Sequence, residues 1–202
     1  MYRSFMRGAA LCLALICPLL VSSCSSPVSN GMPDGLTSLN CPECVHFDVT
    51  IGFYKPAHTG ALAEALQQLL GLTSEAREGA AESRIISPLN SGAIPAFFRK
   101  HGTFDLISRA EAMTTTGEHL PVSLRDPSGD FDAVFTPRAS SGNTSGLVSY
   151  DVRAEPASGP YEPAVKAHNT GRVVLNSGAS LLIIQKANHG YVVWLVRADY
   201  PR

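Results

Sequence analysis

"TFDLISRAEAMTTTGEHLPVSL", Thr103 to Leu124, carries strand-forming residues into three threonines and a glycine and then resumes. Thr114, Thr115 and Thr116 are β-branched and favour extended backbone, while Gly117 accepts the positive φ of a tight turn. The stretch therefore predicts a hairpin over Glu111 to Leu124 within one sheet, packed near a helix that holds Phe97 and Phe98.

The flanking chain supports a sheet. Upstream, Val45, Phe47, Val49, Ile51 and Phe53 alternate with His46, Asp48, Thr50, Gly52 and Tyr54, the period of a strand with one buried face. "TGALAEALQQLLG" then sets Leu62, Leu66, Leu69 and Leu70 at helical spacing, with Thr59 as N-cap and Gly71 as stop. Leu72 to Arg84 has little apolar content and reads as a mobile connection. Ser91 caps a second short helix through Ile94, Phe97 and Phe98 to Gly102, with Pro95 acceptable only in the first turn.

From Phe104 onward the pattern is β. Phe104 to Ser108, Glu111 to Thr116, Leu120 to Leu124, Phe131 to Arg138, Leu147 to Glu155, Arg172 to Leu175, Ser180 to Lys186 and Tyr191 to Ala198 are separated by glycine-bearing turns such as "DPSGD", "NSG" and "NHG". Regularly spaced strands with two helices argue for an α+β domain over residues 45 to 202, mainly an antiparallel sheet.

The first 23 residues read as an export signal, with Arg3 and Arg7, the apolar run "AALCLALICPLLV" and small residues before Cys24. A membrane-spanning helix needs about 20 apolar residues, and this run is shorter and contains Pro18. "VSSC", Val21 to Cys24, resembles the lipobox of bacterial lipoproteins. The resemblance implies a bacterial source, with Cys24 as the lipidated first residue of the mature chain and membrane attachment through that lipid. Ser25 stands where the inner-membrane retention signal places Asp, so the expected location is the outer membrane, facing the periplasm. Residues 24 to 44 form a tether: the small, turn-rich "SSPVSNGMPDGLTSLN" spans roughly 20 to 24 Å as a flexible coil and leads to "CPEC".

Losing Arg3 and Arg7 reduces the 16 basic residues to 14 against 17 acidic ones, with no basic stripe, which argues against nucleic acid as a partner. Cys12 and Cys17 leave with the export signal, so Cys41 and Cys44 remain beside the lipidated Cys24. In an oxidising envelope a local disulfide is expected, with a free pair as the alternative. A metal site through His46 lacks a second ligand pair, and a redox pair needs a helix where a strand pattern follows. No metal or other cofactor is expected.

Nothing in the sequence argues for an enzyme. "GNTSG" has Thr where a nucleophile elbow needs Ser, and the six histidines are scattered over polar or turn positions. Asp126, Asp130 and Asp132 lack the terminal Glu of a calcium loop and read as a solvated turn. Trp194 reads as packing in the last strand.

The order of elements, from "FFRKHG" through "FDLIS", "AMTTTGEHLPVSL", "FDAVFTPRASSGNTSGLVSYDVRAE" and "TGRVVLNSGASLLII", resembles the C-terminal β-domain of secretins, the outer-membrane ring channels of secretion and pilus machines. It implies a non-enzymatic component or accessory of a secretion or pilus apparatus, with self-association or envelope proteins as partners. Thr114, Thr115, Thr116, Gly117 and Val122 would then belong to an assembly hairpin. The chain departs from that family in lacking Pro near Ala110 and in joining its last two strands by "QKANHG" alone. The alternative is an unrelated envelope lipoprotein whose β-domain binds a ligand or scaffolds the wall.

Overall fold

The longest alternating run forms the centre of the molecule. In a computed structural model describing residues 41, 43–70, 81–87, 92–140, 142, 144–157 and 165–201, strand β1 (Cys44–Pro56) buries Val45, Phe47, Val49 and Ile51 on one face and Tyr54 on the other. The export signal, Cys24, the tether to residue 40, Gly71 and Ser91 lie outside the described residues.

Helix α1 (Ala61–Leu70) follows, its first i to i+4 bond accepted by the carbonyl of Gly60 at φ +94°, so the start falls one residue after Thr59. Helix α2 (Ile94–His101) holds Pro95 in its first turn, where the missing N–H costs nothing. It runs directly into the next long strand.

The remaining strands are β2 (Ala81–Ile86), β3 (Gly102–Thr115), β4 (Leu120–Asp126), β5 (Gly129–Ala139), β6 (Ser145–Pro156), β7 (Ala167–Asn176), β8 (Ser180–Ala187) and β9 (Gly190–Asp199). They form a five-stranded sheet of order β2-β8-β9-β1-β3 and a four-stranded sheet of order β4-β5-β6-β7, with every pairing antiparallel. The expected α+β class, mainly antiparallel β with two short helices, holds.

Two cores organise these layers. Between the sheets, Phe47 stacks on Phe135 (5.8 Å between centroids) and Phe131 meets Trp194 edge-on (6.4 Å). On the other face of the five-stranded sheet, the helices bury Leu66, Leu69, Ile94 and Phe98 against Tyr54, Phe104, Leu182 and Val193. Strands β8 and β9 are buried on both faces, which is why "SLLIIQ" reads as a continuous apolar run instead of alternating. Gly52 belongs to this packing, since a Cβ there would sit 2.3 Å from Cζ of Phe104.

The predicted hairpin requires correction. Strand β3 pairs with β1 along its whole length, from Cys44↔Thr115 to Pro56↔Gly102, whereas β4 pairs with β5 from Leu120↔Phe135 to Asp126↔Gly129. Residues 116 to 119 carry the chain from one sheet to the other. Gly117 does supply the positive φ (+88°), and the N–H of Glu118 bonds to the carbonyl of Thr115. The turn is anchored to β5, through Gly117 N–H to the Pro137 carbonyl (2.6 Å) and Ala139 N–H to Oγ1 of Thr116 (2.8 Å), so β4 does not fold back on β3. Val122 packs against the intersheet core, and α2 meets β3 at Phe104, at the opposite end from the threonines.

Two further readings change. Residues 81 to 86, of which 81 to 84 read as part of a mobile connection, form edge strand β2, which among the described residues pairs with β8 alone; Ile86 is its buried apolar side chain, so the apolar period is short. Phe104 to Ser108 and Glu111 to Thr116 are one strand. Ile51 pairs with Ser108 and Gly52 with Leu106, so Ile107 is an extra, bulged residue that breaks the period-two pattern.

Candidate functional site

The helices cover only part of their sheet face, and the uncovered part becomes a groove. Asp48 and Thr50 project there because they occupy the polar phase of β1. Register places Arg197 and Leu195 of β9 beside them on one side, and Glu111 and Arg109 of β3 on the other. The bulge at Ile107 brings Leu106 onto the same face as Arg109. Gly92 and Pro95 at the start of α2 form the overhanging wall, enclosing about 330 Å³.

The charged groups are fixed by one another. Arg109 donates Nε–H to Oδ1 of Asp48 at 3.0 Å and Nη2–H to Oδ2 at 2.6 Å, and its Nη2 also reaches Glu111 at 3.3 Å. The Asp48 hydrogen bonds raise the pKa of Arg109 further above its ordinary value. Arg197 pairs with Asp199 at 3.0 Å. Against this frame Leu106 is 57% exposed, a large aliphatic side chain standing in the open beside a bidentate ion pair. The surface can receive an apolar side chain. The sheet order also places β3 at the edge, with one side of its backbone facing no strand among the described residues.

The other sequence-derived positions lie elsewhere. Cys41 and Cys44 are joined as a disulfide with Cα atoms 5.3 Å apart, closing the entry to β1. Thr114, Thr115, Thr116 and Gly117 lie at the far end of β3 and in the sheet-to-sheet turn. Asp126 accepts from the Ser128 N–H and hydroxyl, and Asp132 from Arg125 and Ser123; these bonds hold both carboxyls below the usual range. His58 and His101 approach Glu64 Oε2 at 3.7 and 3.4 Å. Among the described residues no group of three His, Cys, Asp or Glu side chains is placed to hold a metal ion.

One buried polar group escaped the sequence reading. Gln185, fully buried in β8, accepts from Trp194 Nε1–H at 2.8 Å and donates to the Val152 carbonyl at 3.2 Å, joining the two sheets. Its mark in the sequence is a lone amide after Leu181 to Ile184. No family model matches this chain, and comparisons with curated proteins and with solved structures gave no match.

Proposed function

We propose that the chain is a lipid-anchored protein of a bacterial outer membrane whose α+β domain acts without catalysis, by holding an extended segment of a partner protein. The observation that carries this reading is the groove at the open margin of the five-stranded sheet. Leu106 and Leu195 offer an apolar floor under the wall at Pro95, and Arg109 and Arg197 are already paired with Asp48, Glu111 and Asp199. That composition suits an extended strand that lays an apolar side chain on the floor. The outer edge of β3, which faces no strand among the described residues, offers backbone hydrogen bonds to the same strand. Its bulge and the charged Arg109 and Glu111 discourage indiscriminate pairing. Binding also fits a site whose charges are engaged with each other.

Attachment through Cys24 and a periplasm-facing position rest on "VSSC" and the tether. The partner belongs to an envelope assembly, of which a secretion or pilus apparatus is the form implied by the secretin resemblance. A ring built on a hairpin through Thr114 to Val122 is not part of the proposal, because β3 and β4 lie in different sheets.

The test is Leu106→Glu, at an exposed position where folding tolerates the change. In detergent extracts of cells, native electrophoresis should show the wild-type chain in a complex and the variant released from it, both still in the membrane fraction. An unchanged complex in the variant, with native Trp194 fluorescence, would remove the groove from the account.

A further inference from the structure

The outer face of the four-stranded sheet is divided by charge. On one half each carboxylate has a basic neighbour: Asp132 with Arg125 at 3.0 Å, Asp151 with His168 at 2.9 Å and Glu155 with Lys166 at 2.9 Å. On the other half the cross-strand rows hold no carboxylate. Arg172 stands beside Ser149 and Thr136, and Arg138 beside Leu147 and the 59%-exposed Val174. Both arginines are exposed, and among the described residues neither has a carboxylate within ion-pair distance.

This half lies at the end where the chain leaves the domain. The Cys41–Cys44 disulfide holds the exit at the first residue of β1. The Glu43 carbonyl accepts from Thr116 N–H, and Thr116 Oγ1 accepts from Ala139 N–H, next to Arg138. Only 16 residues separate Cys41 from Cys24, and a flexible chain of that length would reach roughly 20 to 24 Å.

We infer that this Arg138–Arg172 surface docks onto the phosphates of anionic lipid headgroups, with Leu147 and Val174 facing the interface. The inference rests on the proposed lipid anchor. Exposed Glu43 and Glu118 share this end of the molecule, so the attraction is weak. A weak contact suffices for a domain already held by its lipid, because it has only to set orientation. Docking this way keeps the membrane on the four-stranded sheet and leaves the groove, on the opposite face of the five-stranded sheet, turned away from it.

The experiment uses the mature wild-type chain, residues 24 to 202, coupled through the Cys24 thiol to a maleimide lipid, so that attachment does not depend on cellular lipidation. Both cores are drawn from residues 45 to 200, so this chain retains the whole fold. Arginine modification by phenylglyoxal is followed by peptide mass spectrometry. In phosphatidylglycerol vesicles Arg138 and Arg172 should react about fivefold more slowly than in phosphatidylcholine vesicles, the equivalent of ~1 kcal/mol per basic residue at an anionic surface. Exposed Arg99, on α2, should be unchanged. Equal rates in both vesicles, equal protection of Arg99, or the same protection from soluble glycerophosphate would overturn the assignment. Whether cells lipidate Cys24 is read separately from the intact mass of the cellular protein, so the anchor and the docking face can fail independently.

Discussion

Replacing Gln185 by Leu should unfasten the two sheets from inside. Gln185 is fully buried and serves Trp194 Nε1–H at 2.8 Å and the Val152 carbonyl at 3.2 Å, so the substitution removes an acceptor from one sheet and a donor to the other. Leu is close in volume, and the loss comes mainly from the stranded indole N–H. A buried unsatisfied group costs about 1 to 3 kcal/mol. With a urea slope of about 1 to 3 kcal/mol per molar, a loss near 2 kcal/mol moves the midpoint down by about 1 M. Trp194 is the chain's one tryptophan, so its fluorescence reports directly on the altered site. A companion Trp194→Phe in the Gln185→Leu background, followed by circular dichroism, should lose less than the sum of the single changes, because the indole N–H stranded by the first change is then gone. A Gln185→Leu protein as stable as wild type would show that the bond between the sheets contributes nothing, and the reasoning would fail.

Gly52→Ala should cost about 1 to 3 kcal/mol through overpacking, since its Cβ would meet the Phe104 ring at 2.3 Å; thermal unfolding measures this. Val122→Asp should lower stability by a similar amount without changing the mass seen in light scattering, because Val122 packs toward the intersheet core. Burial pushes the Tyr54 and Tyr200 hydroxyls up to about 12 from 10.0, and for Tyr54 the neighbouring Tyr191 and Glu64 add to the effect. Above pH 10 the unfolded chain loses these protons before the folded one, so stability should be flat below pH 10 on their account and fall between pH 10 and 12. Tyr200→Phe should remove part of that fall. Because the Tyr200 hydroxyl is buried without a partner among the described residues, the change should leave stability at pH 7 equal or higher.

Individual elements were legible in the sequence wherever one period governed them. Val45 to Phe53 announces β1, and Ser180 to Lys186 reads as the strand that becomes β8. Alternation tells which side chains share a face but not which sheet a strand joins. Thr114 to Thr116 therefore read as extended, while the handover from β3 to β4 depends on bonds from Thr116 and Gly117 to residues twenty or more positions away. The groove was hidden for a related reason. Arg109 fell in the apparent gap between two strands because the bulge at Ile107 shifts the phase there, and its partner Asp48 lies 61 positions upstream. Arg197 and Leu195 carry no motif; the register of β9 on β1 gives them their place.

The most direct test of the account is a site-specific photocrosslink from the groove in living cells. With a photoreactive phenylalanine analogue at Leu106, irradiation should yield a discrete adduct between this chain and another envelope protein. The same analogue at Val134, on the outer face of the other sheet, should yield none. An adduct at Val134 with none at Leu106, from a chain that fractionates with membranes, would contradict the claim that the groove is where the protein acts.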